Sequence, residues 1–173
     1  MTAKRSPARR AALYGLLVAA AFIFGYLESL LPSVGVPGIK LGLANLVTVV
    51  VLYRLRAADA AGVALLRILL SGLTFGSPAA MLYALAGGLC SLAAMVLCRR
   101  SGRFSVIGVS MAGGVCHVLG QLAVAAAVLR TWRVAWYLPV LLLSGLLTGT
   151  LIGAAASALL RRLPDDPAEN GAK

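Results

Sequence analysis

Seven side chains of a very apolar sequence carry groups that could recognise a ligand: Glu28, Lys40, Asn45, Arg67, Tyr83, His117 and Gln121. Their types suit binding better than bond-making. Lys40 and Arg67 fit a carboxylate or phosphate, Glu28 balances one cation, and His117 and Gln121, four residues apart, share a helix face. The acids of the chain are Glu28, Asp59, Asp165, Asp166 and Glu169. They form no intramembrane carboxylate pair, and no Ser-His-Asp set, Walker loop or zinc spacing accompanies them. Asp165-Asp166 follows Pro164 in the tail and lacks the further aspartate of a magnesium-diphosphate motif. The reading is therefore a non-enzymatic protein with no catalytic residue, cofactor or metal, and with nothing that could bind nucleotide. Cys90, Cys98 and Cys116 make no C-x-x-C pair and read as packing thiols.

The elements that position these residues follow from composition. The chain has 173 residues, 61% hydrophobic and 12% charged, with mean hydropathy +0.95. That leaves too little polar sequence for the surface of a soluble domain, so the class is all-α integral membrane. A basic cytoplasmic N-terminus (1–10), a six-helix transmembrane domain (11–162) and a cytoplasmic tail (163–173) are expected. A spanning helix needs ~20 mostly apolar residues. Residues 11–31, 78–98, 105–129 and 134–160 meet this; 41–53 and 60–73 are short and are separated by the polar turn RLRAAD. The short pair is either tilted or shielded by protein. The start imitates a signal peptide, but its apolar run continues past Ala19-Ala20-Ala21 through Phe22, Ile23, Phe24 and Tyr26, which predicts an uncleaved first helix.

The net charge of +11 sits in small clusters between apolar runs, as membrane orientation requires, and argues against nucleic acid. With both ends inside, Lys4, Arg5, Arg9, Arg10, Arg54, Arg56, Arg99, Arg100, Arg103, Arg161, Arg162 and Lys173 are cytoplasmic. Lys40, Arg130 and Arg133 are outside, and Arg67 is within the membrane. Under that orientation all seven polar residues fall between mid-membrane and the outer surface, with His117 roughly 18 Å along its helix. They are expected to collect in an outward-facing cavity capped by residues 32–40. Pro32 and Pro37 stop helix 1, and helix 2 begins at about Ile39–Leu41 with its unpaired N–H groups toward that cavity. Gly113 would leave open space beside the His117 imidazole.

Plainer readings stand beside these. Glu28 with Lys40 or Arg67 reads equally as a structural ion pair. Asn45 reads more simply as a helix-packing residue and Tyr83 as an interface aromatic, while His117 reads equally as a packing residue. Arg130, Trp132, Arg133, Trp136 and Tyr137 read as an outer interface belt. Small residues line one face of helix 1 (Ala11, Gly15, Ala19) and one face of helix 6 (Gly145, Gly149, Gly153), which fits packing inside the bundle or docking to a membrane partner.

The run LESLLPSVGVPGIKLGLANLVTV (27–49), then Arg67 with LLSGLTFGSPAAMLYALAGGLCSLAAM (69–95), then FSVIGVSMAGGVCHVLGQLAVA (104–125) resembles the Gx transporter family, also labelled heptaprenyl diphosphate synthase component I. The resemblance covers residues 11–161; it predicts Asn after the histidine, where this chain has Val118. It implies a six-helix fold similar to the substrate-binding S components of energy-coupling-factor transporters. Such bundles take a vitamin-like ligand on the outer side of the bacterial cytoplasmic membrane and dock an energising module through small residues of helix 1, here Ala11, Gly15 and Ala19. It also makes an isoprenoid or quinone ligand conceivable, within a membrane subunit of isoprenoid, quinone or electron-transfer machinery.

Overall fold

The computed structural model describes residues 6–30 and 42–163. All regular structure among them is helical: α1 (Pro7–Leu30), α2 (Leu43–Arg54), α3 (Ala57–Thr74), α4 (Pro78–Arg100), α5 (Val106–Leu129), a 3-10 helix (Trp132–Tyr137) and α6 (Leu138–Arg162). Among the described residues, five segments are long and apolar enough to cross a membrane: α1, α3, α4, α5 and the continuous run Trp132–Arg162. The protein is thus an all-helical, multi-pass membrane bundle.

Side-chain caps set several boundaries. Ser77 accepts from Ala80 N–H (3.1 Å) with Pro78 opening α4, and Ser105 accepts from Gly108 N–H (3.2 Å) at the start of α5. The expected RLRAAD turn is shorter than its polarity implied. Asp59 accepts the Arg56 N–H (3.0 Å) and makes Ala57–Asp59 the first turn of α3, leaving only Leu55 and Arg56 between helices. The sixth span also differs from a single helix, because its first turns are wound as a 3-10 helix before Leu138.

The helices α2, α6, α5, α4 and α3 form a closed ring in that order, and α1 packs on α2 and α3. The shortest α-helix is the most enclosed. Ala44 and Val47 through Leu52 of α2 are buried, whereas α1 buries only Ala21. Twelve residues rise about 18 Å, well short of a ~30 Å hydrocarbon core. Neighbouring helices surround α2, which is where a short segment is tolerated at membrane depth.

The tightest seam joins α5 and α6. A Cβ on Gly145 would lie 2.8 Å from the Gly114 carbonyl oxygen, one on Gly149 2.8 Å from Met111 Cα, and one on Gly153 2.7 Å from Ile107 Cα. The small face of helix 6 is therefore used inside the bundle. The small face of helix 1 is turned outward: Ala11, Gly15 and Ala19 are exposed, and nothing lies within 4 Å of a Cβ built on Gly15.

Arginines close one end of the bundle. Arg54 Nη2 donates to the carbonyls of Leu160 (2.6 Å) and Leu163 (2.7 Å), capping α6 from α2. Arg99 donates to the Leu52 carbonyl at the end of α2, with its guanidinium 5.0 Å from the Tyr53 ring centre. Tyr14 donates to Asp59, tying α1 to the first turn of α3. Arg54→Met, which keeps the stem and removes both donations, is expected to cost ~1–2 kcal/mol, read as a lower melting temperature of the purified protein.

Candidate functional site

The other end of the bundle holds a cavity of about 880 Å³. Antiparallel alternation builds it from the last turns of α1, α3 and α5 and the first turns of α2, α4 and α6, joined by the 3-10 helix. Glu28, Asn45, Arg67, Tyr83, His117 and Gln121 all line it. Lys40 and the connection expected to cap the cavity lie outside the described residues.

His117 and Gln121 owe their placement to a glycine on the facing helix. A Cβ on Gly87 of α4 would sit 3.0 Å from His117 Cε1 and 2.9 Å from Gln121 Cγ, so both side chains lie across its bare backbone. One turn on, a Cβ on Gly120 would be 2.7 Å from the Ala86 carbonyl oxygen, which keeps α5 against α4. Gly113 does not play the expected part. Its open side is filled by Met95, 2.6 Å from a built Cβ, with Ser91 Oγ at 3.1 Å, because that face of α5 meets the packed middle of α4 rather than the cavity.

The start of α2 forms another wall. Gly42 adopts φ 75°, left-handed backbone that glycine adopts without strain, and places the first helical residue at Leu43, later than the expected Ile39–Leu41. Its N–H donates to the Glu28 carboxylate. Glu28 thus caps α2, and its charge also acts on Arg67. Arg67 reaches the cavity from α3; its Nε is shut off from solvent and has no hydrogen-bond partner among the described residues. The Ser71 hydroxyl, four residues later on the same face, shares that condition.

Ser71 was not singled out by sequence reasoning, although its i+4 spacing from Arg67 was a readable signal. Met81, which fills the space over Gly72, and Leu141 of α6 are also cavity residues that only the packing reveals. Tyr137, expected in the interface belt, lines the cavity as well, while Trp132 and Trp136 are 84% and 85% exposed. Val118 is buried in the wall, an apolar surface where the resemblance predicted an amide. Most of the remaining wall is apolar, with Ile68, Phe75, Leu122 and Ala125 among its side chains. Among the described residues no three His, Cys, Asp or Glu side chains come together as a metal would require.

Charge is distributed unequally between the two ends. Arg9, Arg10, Arg54, Arg56, Arg99, Arg100, Arg103, Arg161 and Arg162 lie at helix ends remote from the cavity. Arg130 and Arg133 lie at the cavity end.

No curated protein and no solved structure matches the chain. A family model described as heptaprenyl diphosphate synthase component I matches residues 17–159, from the third turn of α1 to the last turn of α6. That span takes in every described wall of the cavity, and the chain belongs to the heptaprenyl diphosphate synthase component I family.

Proposed function

We propose that this chain is the ligand-binding subunit of a membrane transport assembly of the Gx transporter type, similar to the S components of energy-coupling-factor transporters. It captures a small anionic or amphipathic ligand from the outer side of a bacterial cytoplasmic membrane and passes it inward with partner proteins. The observation that carries this reading is the position of the cavity, at the end of the bundle remote from the arginine clusters. Arginine-rich ends stay in the cytoplasm, so the cavity faces out. Glu28, Asn45, Arg67, Tyr83, His117 and Gln121 line the site, and Lys40 is assigned to it from the sequence. The exposed Ala11–Gly15–Ala19 face of α1 docks the energising partner, since small residues let helix backbones approach closely in lipid. The chain itself carries out no bond-making step.

Two measurements test this. In a cysteine-free background, a membrane-impermeant thiol reagent applied to intact cells is expected to label Thr131→Cys and to spare Gly102→Cys; the opposite pattern turns the cavity inward and ends the capture model. Mass spectrometry of the purified protein is expected to find a small molecule whose recovery drops at least tenfold in His117→Ala. Unchanged recovery in His117→Ala and in Lys40→Ala removes the site assignment.

A second reading is favoured by the family description and the apolar wall: a non-transporting membrane subunit of isoprenoid or quinone metabolism, with a prenyl chain in the cavity. It predicts altered quinone levels or extracellular reductase activity in a deletion strain. Normal values of both beside defective nutrient uptake reject it.

A further inference from the structure

We infer that the Glu28 carboxylate stands in for the acidic head group of the ligand, and that a carboxylate or phosphate entering the cavity takes its place at the start of α2. This rests on the reading that the cavity binds a ligand, and goes further by naming the ligand's charged group and the contact it must break.

The first N–H groups of a helix have no partner within it and favour negative charge. At the start of α2 that charge comes from within the chain, because Glu28 of α1 accepts from Gly42 N–H. Independently, α3 presents two polar atoms with unmet hydrogen-bonding capacity to the same cavity. Arg67 Nε and Ser71 Oγ are both sealed from solvent and have no hydrogen-bond partner among the described residues. Leaving a buried donor unmet is unfavourable, and one of these belongs to a cation. An acceptor carrying negative charge suits the guanidinium, the hydroxyl and the helix start together; a neutral body brings no charge to Arg67 Nε, the atom that lacks a partner among the described residues.

Charge then dictates the exchange. Glu28 and a second anion at the same helix start repel each other across a low-dielectric cavity. The entering head group therefore displaces the Glu28 carboxylate, exchanging a contact between α1 and α2 for one between ligand and α2. Ile68, Leu122 and Leu141 offer the apolar remainder of the ligand a dry surface. The ligand class is an amphipathic organic anion with one acidic head.

The test uses the full chain in lipid nanodiscs, with octanoate and octyl phosphate as probes and octanol as the uncharged control, measured calorimetrically. Both anions are expected to bind at least tenfold more tightly than octanol. Glu28→Gln keeps an oxygen for Gly42 N–H but removes the competing charge, and is expected to tighten both anions about tenfold, as removal of an occupying competitor does. Arg67→Met is expected to abolish anion binding. Tighter binding of octyl phosphate than of octanoate assigns a phosphate head, and the reverse a carboxylate. To separate a folding effect, the melting temperature of Glu28→Ala is expected to rise with millimolar formate and not with formamide. If Glu28→Gln weakens the anions as Arg67→Met does, Glu28 is a direct ligand contact and the stand-in role is wrong. If octanol binds as tightly as the anions, the acidic head group is wrong while the binding cavity survives. Failure of all three probes together with no co-purifying molecule overturns the binding reading itself.

Discussion

Gly114→Ala is expected to disrupt the bundle. A single methyl added there would lie 2.3 Å from the Gly145 carbonyl oxygen and 3.3 Å from Gly149 Cα. The clash is with backbone, so no rotamer change relieves it, and α5 and α6 must move apart. That separation also opens the Gly145 and Gly149 contacts, on which helix association in lipid depends. Overpacking of this kind costs ~3 kcal/mol or more, and here the loss extends along a whole seam. The expected result is a protein that aggregates on size-exclusion chromatography or melts far below wild type. Gly15→Ala is the matched control, because its new methyl meets nothing within 4 Å. Equal melting of Gly114→Ala and wild type would mean that the two helices do not approach as described.

Arg67→Met is expected to separate binding from folding. The substitution removes a buried cation whose Nε has no partner among the described residues and keeps most of the apolar stem. Exchanging a buried charge for a hydrophobe of similar volume is often neutral or stabilising, so the melting temperature is expected to stay level or rise. Recovery of the co-purifying molecule is expected to fall about 100-fold, equivalent to ~2.7 kcal/mol of lost binding. A purely structural arginine gives the converse: a lower melting temperature and unchanged recovery. The same comparison across Asn45, His117 and Gln121 distinguishes a binding site from polar side chains that only lock helices together.

Glu28 at the end of a greasy helix is explained in part by α2. Its start needs a cap because its first N–H groups face a cavity rather than bulk water, and Glu28 supplies one from the preceding helix. The chain thus brings its own anion to the place where an anionic ligand is expected. The opposite end follows a related logic with the sign reversed, as Arg54 and Arg99 donate to the last carbonyls of α6 and α2.

Apolar run lengths were enough to establish a six-helix membrane bundle, since a span needs a minimum number of apolar residues and little else. Arginine placement alone divided the bundle into an arginine-rich end and the opposite end, where the cavity lies, because charge cost in lipid depends on depth, and depth is read from distance along each helix. The convergence of Glu28, Asn45, Arg67, Tyr83, His117 and Gln121 at one end was legible for the same reason. Facing was not legible. Which glycine lies under His117, and that helix 6 spends its glycines on α5 while helix 1 leaves its small face outside, were decided by the order of helices around the ring. Small and apolar residues satisfy lipid and protein neighbours alike, so the sequence carries depth along the membrane normal, and only the tertiary structure fixes rotation about it.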